Sequence, residues 1–129
     1  MNAHPFADLL NLQAPIREPG RSELRMTLQP QHMNPHGVAH GAVYFALADT
    51  GMGAALYPSL AAGQICATIE IKINYFKAVT GGELVCRTEL VNRGKTVANL
   101  ESRVWQGDVL VAQANGNYAI FSPRAPVSA

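Results

Sequence analysis

The sequence predicts an α+β fold in which one antiparallel sheet wraps around a single long, buried helix. Three observations carry that prediction. From Gly41 to Leu56 almost every residue is apolar or small, and Ala42, Ala46, Leu47, Ala48, Ala54, Ala55 and Leu56 favour helix over strand. After that run, four period-two segments follow one another through short connections, the pattern of antiparallel neighbours. At 129 residues the chain fits one domain with one core, so a single sheet must do most of the covering.

In chain order, residues 1–20 read as an N-terminal helical segment, 21–123 as the domain and 124–129 as a tail. Phe6, Leu9 and Leu10 form one face of a short opening helix, after which Pro15 and Pro19-Gly20 break the pattern. From Glu23 to Gln29, Leu24, Met26 and Leu28 alternate with polar residues as in a half-buried strand, and Pro30 stops it. Gln31 to His40 contains Pro35 and Gly37 and reads as a loop leading into the Gly41–Leu56 helix. The clearest strand follows, with Ala67, Ile69, Ile71, Ile73 and Tyr75 alternating with Thr68, Glu70, Lys72 and Asn74. Gly81-Gly82 turns the chain back. Leu84 to Val91, Thr96 to Gln106 and Val109 to Phe121 are three more strands, divided by Arg93-Gly94-Lys95 and by Gly107-Asp108, with Gly116 expected to mark a bulge.

A helix that is apolar all round should be buried, and one curved sheet cannot enclose it completely. The leftover apolar surface therefore predicts at least a homodimer. A formal charge of +1 provides no global field to attract nucleic acid or an anionic membrane, and no apolar stretch is long enough to span a bilayer. Cys66 and Cys86 do not form a C-x-x-C pair, and two thiols alone make neither a disulfide framework nor a zinc site. The N-terminus lacks the basic start and apolar run of a signal peptide, which predicts a cytoplasmic protein.

Asp49 is the only charged side chain between Gly41 and Leu56. Burying an unpaired carboxylate costs several kcal/mol, so a buried helix should exclude one unless it has work to do. The plainer reading places Asp49 at an exposed margin. Gly41 stands at the first turn of the helix, where free backbone N–H groups can stabilise a developing oxyanion, although glycine is also an ordinary N-cap residue. His32, His36 and His40 recur every fourth residue, but Pro35 and Gly37 prevent the helix that would make them metal ligands, so no metal is expected. His40 is better placed to orient the loop.

The run from Asn34 to Asp49, NPHGVAHGAVYFALAD, resembles the signature of hot-dog fold thioesterases of the phenylacetate-degradation type, which are related to hydroxybenzoyl-CoA thioesterases. The resemblance continues through Thr68 to Tyr75, Arg93 to Thr96 and Val111 to Gly116, and covers about residues 20 to 121. It implies an acyl-CoA thioesterase with Asp49 as catalytic carboxylate and the Gly41 amide polarising the thioester carbonyl. It also implies that Asn34 and His40 belong to the site, and that Thr68 helps hold the attacking water across a dimer interface. Gly41-Ala42 stands where relatives commonly carry two glycines, which bears on substrate shape.

Asp49 is then either a nucleophile that forms a mixed anhydride or a general base for water, and no cofactor is needed. Coenzyme A brings phosphates, for which Arg93, Lys95, Lys77 and Arg124, with Tyr75 beside them, are candidate contacts against a plain reading as solvated surface. The resemblance implies a dimer of dimers. Two other functions fit the same pattern: a hot-dog hydratase or dehydratase pairing a histidine with a carboxylate, and a non-catalytic acyl-CoA-binding protein.

Overall fold

The computed structural model describes residues 4–123. Its elements are α1 (Pro5–Leu9), β1 (Gln13–Glu18), β2 (Arg21–Thr27), α2 (Gly41–Leu56), β3 (Ile65–Tyr75), β4 (Glu83–Arg93), β5 (Val97–Gln106) and β6 (Val109–Phe121), with single 3-10 turns at Pro30–His32 and Tyr57–Ser59. All strands join one antiparallel sheet in the order β1-β2-β4-β5-β6-β3. The sheet wraps α2, as expected for a hot-dog fold.

The long helix begins and ends where the sequence places it. It starts after the extended residue His40, whose Nδ1 accepts from the Ala42 N–H at 2.9 Å, and runs into the Tyr57–Ser59 turn. Leu47, Met52 and Leu56 are fully buried against the sheet. Each such side chain contributes roughly 1.5–3 kcal/mol of transfer free energy. Gly116 lets the helix approach: a Cβ there would lie 2.7 Å from Met52 Sδ and 2.9 Å from Ile71 Cγ1. This corrects the bulge expected at Gly116, because β6 runs through it in register with both neighbours.

A row of hydroxyls pins α2 from below. Ser22, Thr88 and Ser102 are paired across β2, β4 and β5, and all three are buried. Ser22 Oγ donates to the Gly51 carbonyl at 2.6 Å and Ser102 Oγ to the Ala48 carbonyl at 2.9 Å, while Thr88 Oγ1 and Ser102 Oγ lie 2.6 Å apart. These bonds satisfy polar groups that would otherwise be costly in the core. They also fix the turn of helix on which Asp49 is carried.

Three further expectations need correction. Residues Gln13 to Glu18 form a strand rather than a break, giving six strands. Pro15 is tolerated because β1 is an edge strand and its register shifts between Gln13 and Ile16. In α1 it is Ala7 that is buried, whereas Phe6 and Leu9 are exposed and only Leu10 packs on the core. Finally, β3 does not alternate throughout. Thr68 pairs with Tyr118 but Glu70 pairs with Asn117, so Ile69 is an extra, exposed residue in a bulge.

Candidate active site

The bulge at Ile69 decides what lies beside Asp49. Without it, Thr68 would share the outer face with Glu70, Lys72 and Asn74, as strict alternation predicts. With it, Cys66 and Thr68 face the helix together with Ile71 and Ile73, opposite Ile120 and Tyr118 of β6. Thr68 Oγ1 consequently donates to Asp49 Oδ1 of its own chain at 2.9 Å. Thr68, expected to line the pocket from a partner subunit, reaches Asp49 within its own chain.

Asp49 is half-exposed in the third turn of α2 and opens onto a cleft of about 810 Å³. The cleft has largely apolar walls, among them Phe6, Leu12, Ala14, Phe45, Ala54 and Tyr57. Tyr118, which sequence reasoning passed over, sends its buried hydroxyl to Asp49: it donates to the backbone carbonyl at 2.8 Å and to Oδ1. Burial above all, and then the bond to Asp49, hold the phenol well above its ordinary range, so it stays a neutral donor. Oδ1 thus receives two hydroxyls, and Oδ2 receives none of the hydrogen bonds among the described residues. The signal in the sequence was a polar-tipped aromatic on the buried parity of β6, among Ala112, Ala114, Gly116 and Ile120.

Cys66 also lines the cleft. Burial pushes its thiol up, a hydrogen bond with Tyr57 opposes that shift, and the Asp49 charge adds to it. It therefore serves as a small protonated wall residue rather than a thiolate.

The other predicted residues lie elsewhere. Gly41 is eight residues before Asp49, about 12 Å along the helix axis, and does not line the cleft. Its expected approach to the Asp49 pocket is not made within one chain. The Ala42 N–H goes to His40 Nδ1 and the Val43 N–H to the His40 carbonyl, leaving the Gly41 amide without a protein acceptor among the described residues. The Tyr75 ring lies against Gly41 and 5.8 Å from that of Tyr44. Asn34 spends its side chain on its own loop, accepting from the His36 N–H at 2.8 Å.

Arg93 and Lys95 flank the β4–β5 turn, at the end of the sheet where Ala98 pairs with Tyr118. The Arg93 guanidinium donates to the Gly94 carbonyl. Lys77 follows β3 at the opposite end, beside the helix N-terminus, where its carbonyl accepts from Tyr44 Oη at 3.2 Å. None of Tyr75, Lys77, Arg93 and Lys95 lines the cleft. Arg124 lies outside the described residues.

The family profile of the Thioesterase superfamily matches residues 36–113. That stretch includes His40, Gly41, Asp49 and Thr68 but ends before Tyr118. The chain is 32% identical over 124 residues to a candidate esterase of Archaeoglobus fulgidus, spanning 94% of this chain and 79% of that one. Among solved structures it is similar to conserved protein PA5202 from Pseudomonas aeruginosa, with 33% identity, a TM-score of 0.88 and coverage of 92% and 95% of the two chains. It is also similar to a variant of phenylacetic acid degradation protein PaaI from Thermus thermophilus, with 25% identity, a TM-score of 0.84 and coverage of 90% and 98%.

Proposed function

The chain belongs to the thioesterase superfamily and is a thioester hydrolase, and from that premise we propose that it cleaves acyl-CoA to free acid and coenzyme A with Asp49 as the reacting carboxylate. The observation that carries this reading is the setting of Asp49. It is the one charged residue of α2, it faces an apolar cleft, and one of its oxygens is held by two hydroxyls while the other is left for chemistry. On a nucleophilic route Oδ2 attacks the thioester carbon, the tetrahedral oxyanion collapses with loss of coenzyme A thiolate, and water hydrolyses the mixed anhydride. On a general-base route Oδ2 takes a proton from the water that attacks instead. Both end in acid and thiol.

Either route creates an oxyanion that needs a donor within about 3 Å. The Gly41 amide of the same chain is too far away, but the Gly41 amide of a second copy can meet this Asp49 if two chains pack helix beside helix. That arrangement covers the face of α2 bearing Ala42, Phe45, Asp49 and Gly53, which the sheet leaves open. It also brings Lys77 of one chain toward Arg93 and Lys95 of the other, a set of cations for the phosphates of coenzyme A. Asn34 and His40 hold the loop and helix start that present the Gly41 amide. A further pairing into a dimer of dimers rests on the resemblance alone.

With Phe6, Phe45 and Tyr57 in its walls, the part of the cleft that a second chain leaves open suits aryl or arylacetyl groups, in keeping with the phenylacetate-degradation type, or short-to-medium acyl chains. A hydratase would need a histidine free to act beside the carboxylate, whereas His40 is nine residues from Asp49 with its Nδ1 capping the helix, and His4, which lines the cleft, accepts from the Ala7 N–H through its Nδ1 at 3.1 Å. A panel of acyl-CoAs read with a thiol-reactive dye tests the proposal. Thiol release with aryl, arylacetyl or short-to-medium-chain esters supports it, and no release from any member, or conversion of an enoyl-CoA without thiol, refutes it.

A further inference from the structure

Resting on the reading of Asp49 as the reacting group, we propose that Tyr118 is a positioning residue that locks the plane of the Asp49 carboxylate, so that one oxygen is held and the other is presented to the cleft. A carboxylate is two-fold symmetric about its last torsion, and that torsion is broad. Its orientation is therefore set by hydrogen bonds rather than by rotamer preference.

Two hydroxyls converge on Oδ1, and they are unequal anchors. Thr68 is exposed and sits on the edge strand β3 next to the Ile69 bulge. Tyr118 is 3% exposed and lies in β6, which is paired on both sides, with Ala98 in β5 and Thr68 in β3 as register partners. Its ring has few rotatable bonds and is buried with Ala114 and Ile120. The hydroxyl position is consequently fixed by the core.

A simpler role is available: a buried tyrosine needs a partner, and the Asp49 backbone carbonyl at 2.8 Å would suffice. The contact with Oδ1 goes beyond that need. A phenol has one proton, and here it is shared between the carbonyl and the carboxylate of the same residue. That sharing ties the side chain of Asp49 to its own helical turn, which the Ser22 and Ser102 hydroxyls already hold from the other side.

Tyr118→Phe keeps the ring and removes only this donor. With an acyl-CoA as substrate, kcat should fall about 10- to 100-fold, the loss of one hydrogen bond to a charged group, while KM stays within about twofold. Crystal structures of the wild type and the variant supply a readout that does not need activity. The wild type should show one carboxylate plane, with one oxygen between Thr68 and Tyr118, and the variant a plane that is turned or divided between two settings. An unchanged kcat, or a carboxylate held identically in Tyr118→Phe, overturns the proposal. If the wild type hydrolyses no acyl-CoA, the functional reading fails, and the carboxylate orientation alone then decides the role of Tyr118.

Discussion

Gly51→Ala sets two rules against each other. Inside a helix, replacing glycine by alanine ordinarily gains about 1 kcal/mol. Here the new Cβ would lie 2.5 Å from Thr88 Oγ1, 3.5 Å from Cys86 Sγ and 3.6 Å from Ser22 Oγ. Thr88 cannot step aside freely, because it is fully buried, β-branched and 2.6 Å from Ser102 Oγ. Relief requires either a shift of α2 away from the sheet, costing about 1–3 kcal/mol as overpacking, or rotation of Thr88, which abandons a buried hydrogen bond worth a similar amount. Packing wins over propensity by about 1 kcal/mol, which for a chain of this size lowers Tm by roughly 4 °C. Differential scanning calorimetry of the wild type and Gly51→Ala reads this directly. A Tm equal to or above that of the wild type would show that the hydroxyl row does not clamp the helix.

The cross-chain site predicts complementation. Asp49→Asn and Gly41→Pro should each be inactive alone, the second because proline at the first helical position removes the amide while respecting the helix. Refolded together they should recover about a quarter of wild-type activity, since half the dimers are mixed and one of their two sites is intact; no recovery would place the whole site in one chain. Sedimentation at micromolar concentration should give a species of at least about 28 kDa, twice the 13.8 kDa chain, and a stable active monomer would rule the arrangement out. Thr68→Val should lower kcat about tenfold with little change in Tm, because the residue is exposed and its hydroxyl serves Asp49. A fall in stability with kcat intact would assign Thr68 to the fold instead.

The sequence was most legible where one physical rule acted alone. The Gly41–Leu56 helix was readable to the residue because its run of apolar, helix-favouring residues follows a loop with Pro35 and Gly37. Asp49 was visible as a charge in that run. β1 was hidden because Pro15 reads as a breaker, and only its edge position makes the proline harmless. Thr68 was assigned to the right neighbourhood by resemblance but to the wrong face by alternation, since a bulge at Ile69 depends on pairing with β6 and leaves no local signature. Tyr118 lies 69 residues from Asp49 in sequence, and its contact exists only through the sheet register. Local pattern therefore located every element but β1, while the partners of the carboxylate came from tertiary geometry.

Asp49→Asn tests the central claim most directly, because it keeps the shape of the side chain while removing its charge and basicity. Thiol release from the best acyl-CoA of the panel should fall by at least about 1000-fold, with Tm and sedimentation unchanged from the wild type. A folded Asp49→Asn protein that still turns over within about tenfold of the wild type would contradict the assignment of Asp49 as the reacting carboxylate.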